Sequence, residues 1–116
     1  QILTLDLSMP LKLVNPRHGK LVLAPKHLAV VRAVLRAHAP KHRVYAFGSR
    51  VVTSKADQAR IKPHSDLDLA LEGPKLRPEQ AFALREAFSD SDLPMRVDAV
   101  ALNDLPKGWE IRGWRV

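Results

Sequence analysis

Asp66 and Asp68 stand two apart in the run Asp66-Leu67-Asp68-Leu69-Ala70-Leu71, and a third carboxylate, Asp98, stands inside Met95-Arg96-Val97-Asp98-Ala99-Val100-Ala101. Both runs alternate in the way half-buried strands do. Side chains two apart on a strand share a face, so Asp66 and Asp68 point one way and Leu67, Leu69 and Leu71 the other. If the two strands are neighbours, three carboxylates meet on one sheet face. Like charges that close repel, and at least one is pushed to keep its proton. A divalent cation removes the conflict. Hard ions such as Mg²⁺ take carboxylate oxygens and share their shell with substrate phosphates. Two such ions clamp the attacking and leaving oxygens of an in-line phosphoryl displacement. The plainer reading is an amphipathic strand showing Asp to water, but Asp is a poor strand former.

Phe47-Gly48-Ser49-Arg50 follows directly on the β-prone run Val44-Tyr45-Ala46-Phe47. Glycine lets the backbone turn tightly and approach a phosphate. The amides that follow it form an anion-binding nest or helix start. The Ser49 hydroxyl and the Arg50 guanidinium add donors, and arginine suits bidentate phosphate contacts. Most Gly-Ser pairs are plain turns. This one stands at a strand end, one loop before the paired aspartates.

Other candidates carry less. His38 and His42 are four apart, but Pro40 lies between them and no third zinc ligand accompanies them. His64 flanks the Asp strand and reads as a surface residue. Lys55, Arg60 and Lys62 form a basic loop that suits a triphosphate or an acceptor as readily as plain solvent. Trp109 and Trp114 read as packing or interface residues, since aromatics make up only 5% of the chain.

The elements that must position these residues follow from punctuation and period. Pro25 opens a helix over 25–38, with Leu28, Val31, Val34 and Leu35 at helical spacing and Pro40 beyond its end. A second helix runs from Pro78 to Phe88, with Ala81, Leu84 and Phe88 on one stripe and Glu79 in its first turn. Residues 51–64 read as a loop, with a turn of helix after Ser49. Leu11–Val14 and Lys20–Leu23 flank an Asn15-Pro16 and Gly19 turn cluster and read as a β-hairpin. The segment after Asp104 reads as a short helix carrying Trp109. The fold class is α/β (α+β): a small mixed sheet backed by helices.

Length and composition set the outer bounds. The 116 residues make one domain, with 46% hydrophobic and 27% charged residues, which excludes a disordered tail or a fibre. No apolar run approaches the ~18 residues that span a bilayer. Gln1–Asp6 lacks the basic stretch of a secretory leader. Cysteine is absent, which favours the cytoplasm and excludes thiolate zinc sites. The net charge is +7, unevenly spread. Residues 1–64 hold twelve basic and two acidic residues, and residues 65–116 hold seven basic and ten acidic. A basic half suggests an anionic partner. A nucleic-acid binder is one such reading, but no recognised nucleic-acid motif accompanies it.

Taken together, Gly48-Ser49-Arg50, then Pro63-His64-Ser65-Asp66-Leu67-Asp68-Leu69, then Val97-Asp98 resemble the minimal nucleotidyltransferases of prokaryotes, of the antitoxin type. These belong to the polymerase-β-like nucleotidyltransferase superfamily. The resemblance covers about residues 24–106. It implies an N-terminal extension over 1–23, a nucleotidyltransferase domain over 24–106 and a C-terminal tail over 107–116. It also implies transfer of a nucleoside monophosphate, AMP from ATP, to a protein hydroxyl. Gly48, Ser49, Arg50 and Ser65 would hold the nucleotide. Asp66, Asp68 and Asp98 would hold two Mg²⁺ ions, with Asp98 helping to deprotonate the acceptor. The implied partner is a HEPN-domain toxin, and the face carrying the aspartates is where its acceptor would approach. Leu11–Leu23 and Lys107–Val116 are the candidate interface segments. Two departures stand out. Sixteen residues, Arg50 to Ser65, separate Gly48-Ser49 from the Asp pair, where about ten are usual. The usual second glycine is replaced by Thr53 or Ser54. The competing reading is therefore a catalytically impaired member that neutralises a partner by binding alone.

Overall fold

The computed structural model describes residues 11–14, 19–105 and 109–116. Four strands form the main sheet, in the order β6 (Val97–Ala101), β5 (Leu67–Glu72), β3 (Arg43–Phe47), β8 (Trp114–Arg115). β5 pairs antiparallel with β3 and parallel with β6, and β8 pairs antiparallel with β3. The sheet is therefore mixed, and the strands expected to be neighbours are neighbours. Parallel pairing of β5 and β6 needs a crossover. The helix α3 (Pro78–Ser89) lies in that crossover.

Alternation along β5 sorts its side chains between two environments. Leu67, Leu69 and Leu71 enter the main core with Val31 and Leu35 of α1 (Pro25–His38) and Leu84 and Phe88 of α3. Ala70 instead packs with Leu102, Phe47 and Leu105 on the other side. Leu67, Leu69, Leu84 and Val31 are the largest fully buried side chains. Each contributes roughly 2 kcal/mol or more through removal from water. The Asp-bearing strand is thus the best-anchored strand of the sheet.

Both long helices begin as their sequences dictate. Pro25 and Pro78 sit in the first turn, where the missing N–H costs nothing. In α3 the Gln80 side chain accepts from the Arg77 amide at 2.9 Å, satisfying one donor at the helix start. Ala39 ends α1 just before Pro40, and its amide donates to the Leu35 carbonyl. Among the described residues no helix is long and apolar enough to cross a membrane.

Three local expectations need correction. Leu11–Val14 (β1) pairs in parallel with Trp109–Arg112 (β7), and Lys20–Leu21 (β2) pairs with Val51–Val52 (β4), so the two segments read as a hairpin find other partners. Strands this short carry no period that names a partner, and both pairings are long-range. The turn residues 15–18 and the boundary at 106/107 lie outside the described residues. Trp109–Arg112 and Trp114–Arg115 are strands, so Trp109 is not carried on a helix. The last residues of the chain belong to the fold: Trp114 and Val116 pack against the main core, and the Val116 amide donates to the Val44 carbonyl at 2.9 Å. Val51–Val52, read as loop, is strand β4, and the turn of helix lies further on than Ser49, at α2 (Lys55–Ala59), capped by the Ser54 hydroxyl, which accepts from the Asp57 amide at 3.1 Å.

Candidate active site

Strand register brings the site together. Phe47 of β3 pairs with Asp68 of β5, and Asp68 pairs with Asp98 of β6. Two of the three aspartates are therefore directly opposite each other across a parallel pair. Asp66 lies one residue before β5, at the same end of the sheet. Immediately after Phe47 the chain enters a 3-10 turn, Gly48–Arg50. Gly48 has φ +81°, in the left-handed region where L side chains are strained. A Cβ there would also collide with Asp68 Oδ2. Only glycine lets the turn come this close to the carboxylate. Ser49 is exposed beside it.

The electrostatics follow from that crowding. Burial pushes the Asp68 carboxyl above the ordinary carboxylate range, and the charges of Asp98 and Asp66 push it further, with Arg96 pulling partly back. The Arg96 guanidinium stands between the other two acids, with Nη2 at 3.1 Å from Asp98 Oδ2 and 3.4 Å from Asp66 Oδ2. All three side chains are about half exposed or more, so water screens these pairs. Among the described residues no three acidic or histidine side chains converge closely enough to hold a metal as they stand. The donor set nevertheless fits Mg²⁺: three hard carboxylates at one sheet end, one of them destabilised by its neighbours, with an exposed cation lying between two of them.

Two of the residues expected to hold nucleotide are engaged elsewhere. Arg50 is buried, 3% exposed, and its guanidinium donates to the carbonyls of Ser65, Val22, Lys62 and Pro63. Burial lowers its pKa, from a starting value so high that it stays a cation. Ser65 closes a turn: its amide donates to the Lys62 carbonyl at 3.0 Å and its hydroxyl accepts from the Lys62 amide at 3.1 Å. His64 lies outside the cluster, with Nδ1 at 2.9 Å from the Pro94 carbonyl. Lys55, Arg60 and Lys62 are exposed on the loop.

Arg96 is a site residue that does not figure among the sequence candidates. A signal was present, because Arg96 is two residues before Asp98 and so falls on the same side of an extended chain. Three aspartates at such spacing point to a metal before they point to a resident cation.

No protein-family model matches the chain. Over 83 residues the chain is 42% identical to a Haemophilus influenzae protein named "Probable protein adenylyltransferase MntA", an alignment covering 69% of this chain and 66% of that protein. The chain thus spans just under two thirds of that relative's length. With the glycine turn set against the paired aspartates, the chain is similar at this level of identity to an MntA-type nucleotidyltransferase.

Proposed function

We propose that the chain is a Mg²⁺-dependent nucleotidyltransferase that moves AMP from ATP to a hydroxyl of a partner protein. The observation that carries this reading is the row Phe47, Asp68, Asp98 across three strands, with Gly48 pressed against Asp68. The name of the Haemophilus influenzae relative points to the same chemistry. Gly48 and Ser49 receive the triphosphate, because the turn offers backbone approach without a side chain in the way. Asp66, Asp68 and Asp98 hold the metal. Bound Mg²⁺ supplies charge neutralisation for the phosphates and for the leaving pyrophosphate. Asp98, at the exposed rim of the cluster, takes the proton of the acceptor hydroxyl. A new ester bond forms between that oxygen and the α-phosphorus as the bond to pyrophosphate breaks.

The acceptor belongs to another polypeptide in this reading. A HEPN-domain toxin, modified on tyrosine in the cytoplasm, is the partner that the family resemblance suggests. The binding-only alternative draws support from the loop: Ser54, one of the positions where the second glycine is usual, caps α2 instead. Calorimetry with MgATP on wild type and on Asp66→Asn/Asp68→Asn tests the site. Equal binding by both removes the metal assignment. Label from the α-phosphate of ATP appearing on a co-purified partner supports transfer. Neutralisation of that partner by Asp66→Asn as well as by wild type favours binding alone.

A further inference from the structure

Arg50 does unusual work for a residue beside a phosphate-binding turn. Its Nε donates to the Ser65 carbonyl at 2.7 Å, Nη1 to Val22 at 2.7 Å, and Nη2 to Lys62 and Pro63 at 3.2 and 2.9 Å. The Val22 amide returns a bond to the Arg50 carbonyl at 2.7 Å, so that strand end is tied on both sides. Arg50 lies two residues after Gly48, and Ser65 immediately precedes Asp66. One guanidinium thus joins the turn to the peptide that carries the first aspartate. Asp68 is held by the strand ladder on both sides. Asp66 precedes the strand: the Leu67 amide after it donates to the Arg96 carbonyl at 2.9 Å, and the peptide before it is fixed at the Ser65 carbonyl by Arg50. The long loop, with α2 inside it, leaves and returns between the two ends of this tie.

We propose that Arg50 is a positioning residue for Asp66, one that also insulates the metal site from the length of the 53–61 loop. This rests on the nucleotidyltransferase reading above. Arginine suits the task because its planar fork reaches several acceptors at once, which a lysine ammonium on a flexible stem does not. Four of its donor directions already end on backbone carbonyls, so its fork is committed to holding the chain. The extra loop residues then change the loop without moving Asp66.

The test is Mn²⁺ binding to the full chain, followed by electron paramagnetic resonance without nucleotide. The proteins are wild type, Arg50→Lys, Asp66→Asn, the double variant and Ser54→Ala, each checked for fold by circular dichroism. Arg50→Lys should bind Mn²⁺ about tenfold more weakly, the usual cost of losing a residue that orients a metal ligand. The double variant should bind as Asp66→Asn does, because Arg50 acts through Asp66. Ser54→Ala, which removes the α2 cap, should stay within about twofold of wild type, a change too small to reflect a lost ligand-orienting contact. Wild-type affinity in Arg50→Lys overturns the proposal. So do losses that multiply in the double variant, which is what general loosening would give. Wild type that binds no Mn²⁺ overturns the underlying functional reading first. Should Arg50→Lys not fold, Arg50→Gln replaces it. In wild type, the Arg50 Nε–H should exchange with water far more slowly than that of exposed Arg96, and equal rates overturn the clamp itself.

Discussion

Asp68 Oδ2 fills the space where a side chain at position 48 would begin, and the Asp68 Cγ lies 3.3 Å from the place a Gly48 Cβ would take. The turn and the carboxylate are fitted to each other. Gly48→Ala meets two penalties, a left-handed φ and a collision with the strand. It should destabilise the chain by ~1–3 kcal/mol, measured by urea unfolding, and should weaken MgATP binding measured by calorimetry. A variant as stable as wild type would show that the turn relaxes freely and does not define the site.

Asp68 predicts a pH effect of definite sign. Burial, then Asp98 and Asp66, raise its pKa, so the folded chain holds that proton more tightly than the unfolded chain. The stability this group confers is full below the ordinary carboxylate range and falls as pH rises through the raised value. At neutral pH the metal-free protein carries the repulsion as a cost. Asp68→Asn should therefore melt ~1–3 °C higher than wild type at neutral pH, a modest gain because water screens the half-open carboxylate. Thermal scans should show the gain shrinking in acid. Added Mg²⁺ should raise the melting temperature of wild type and leave Asp68→Asn unchanged.

Arg96 pairs with both Asp66 and Asp98, so a metal held by these acids would have to displace it. Arg96→Gln should tighten Mg²⁺ or Mn²⁺ binding about two- to fivefold, the range set by an exposed ion pair. The gain should shrink in high salt, where Arg96 is already screened. Weaker metal binding in Arg96→Gln would mean that the guanidinium helps to assemble the acids rather than hold their place.

Removal of Trp114–Val116 tests the structural contribution of the tail. These residues supply a strand on β3, a backbone bond to Val44 and apolar contact with the core. The loss should cost ~2–4 kcal/mol, read by denaturant unfolding. A truncated chain of unchanged stability that only fails to bind a partner would mark the tail as an interface segment instead.

Much of this arrangement was legible in advance, for a physical reason. Leu67, Leu69 and Leu71 must be buried, which forces Asp68 to the opposite side, and two-residue periodicity records that fact locally. The helix over Pro25–His38 is marked by proline at both limits. What stayed hidden depends on partners distant in sequence. Nothing within Lys20–Leu21 points to Val51–Val52, and nothing within Trp114–Arg115 points to Tyr45–Ala46. Arg50 shows the same limit for a site residue. Its motif position suggested phosphate, but its four acceptors come from residues 22 and 62–65, which only the fold gathers.

The pairing of Ala46 with Trp114 also orders events during synthesis. β3, β5 and β6 are complete once residue 101 has left the ribosome, yet one side of β3 stays bare until residues 114–116 follow. A bare strand edge is a template for a foreign strand. For that interval β3 carries an open seam, which residues 114–116 close when they pair with it.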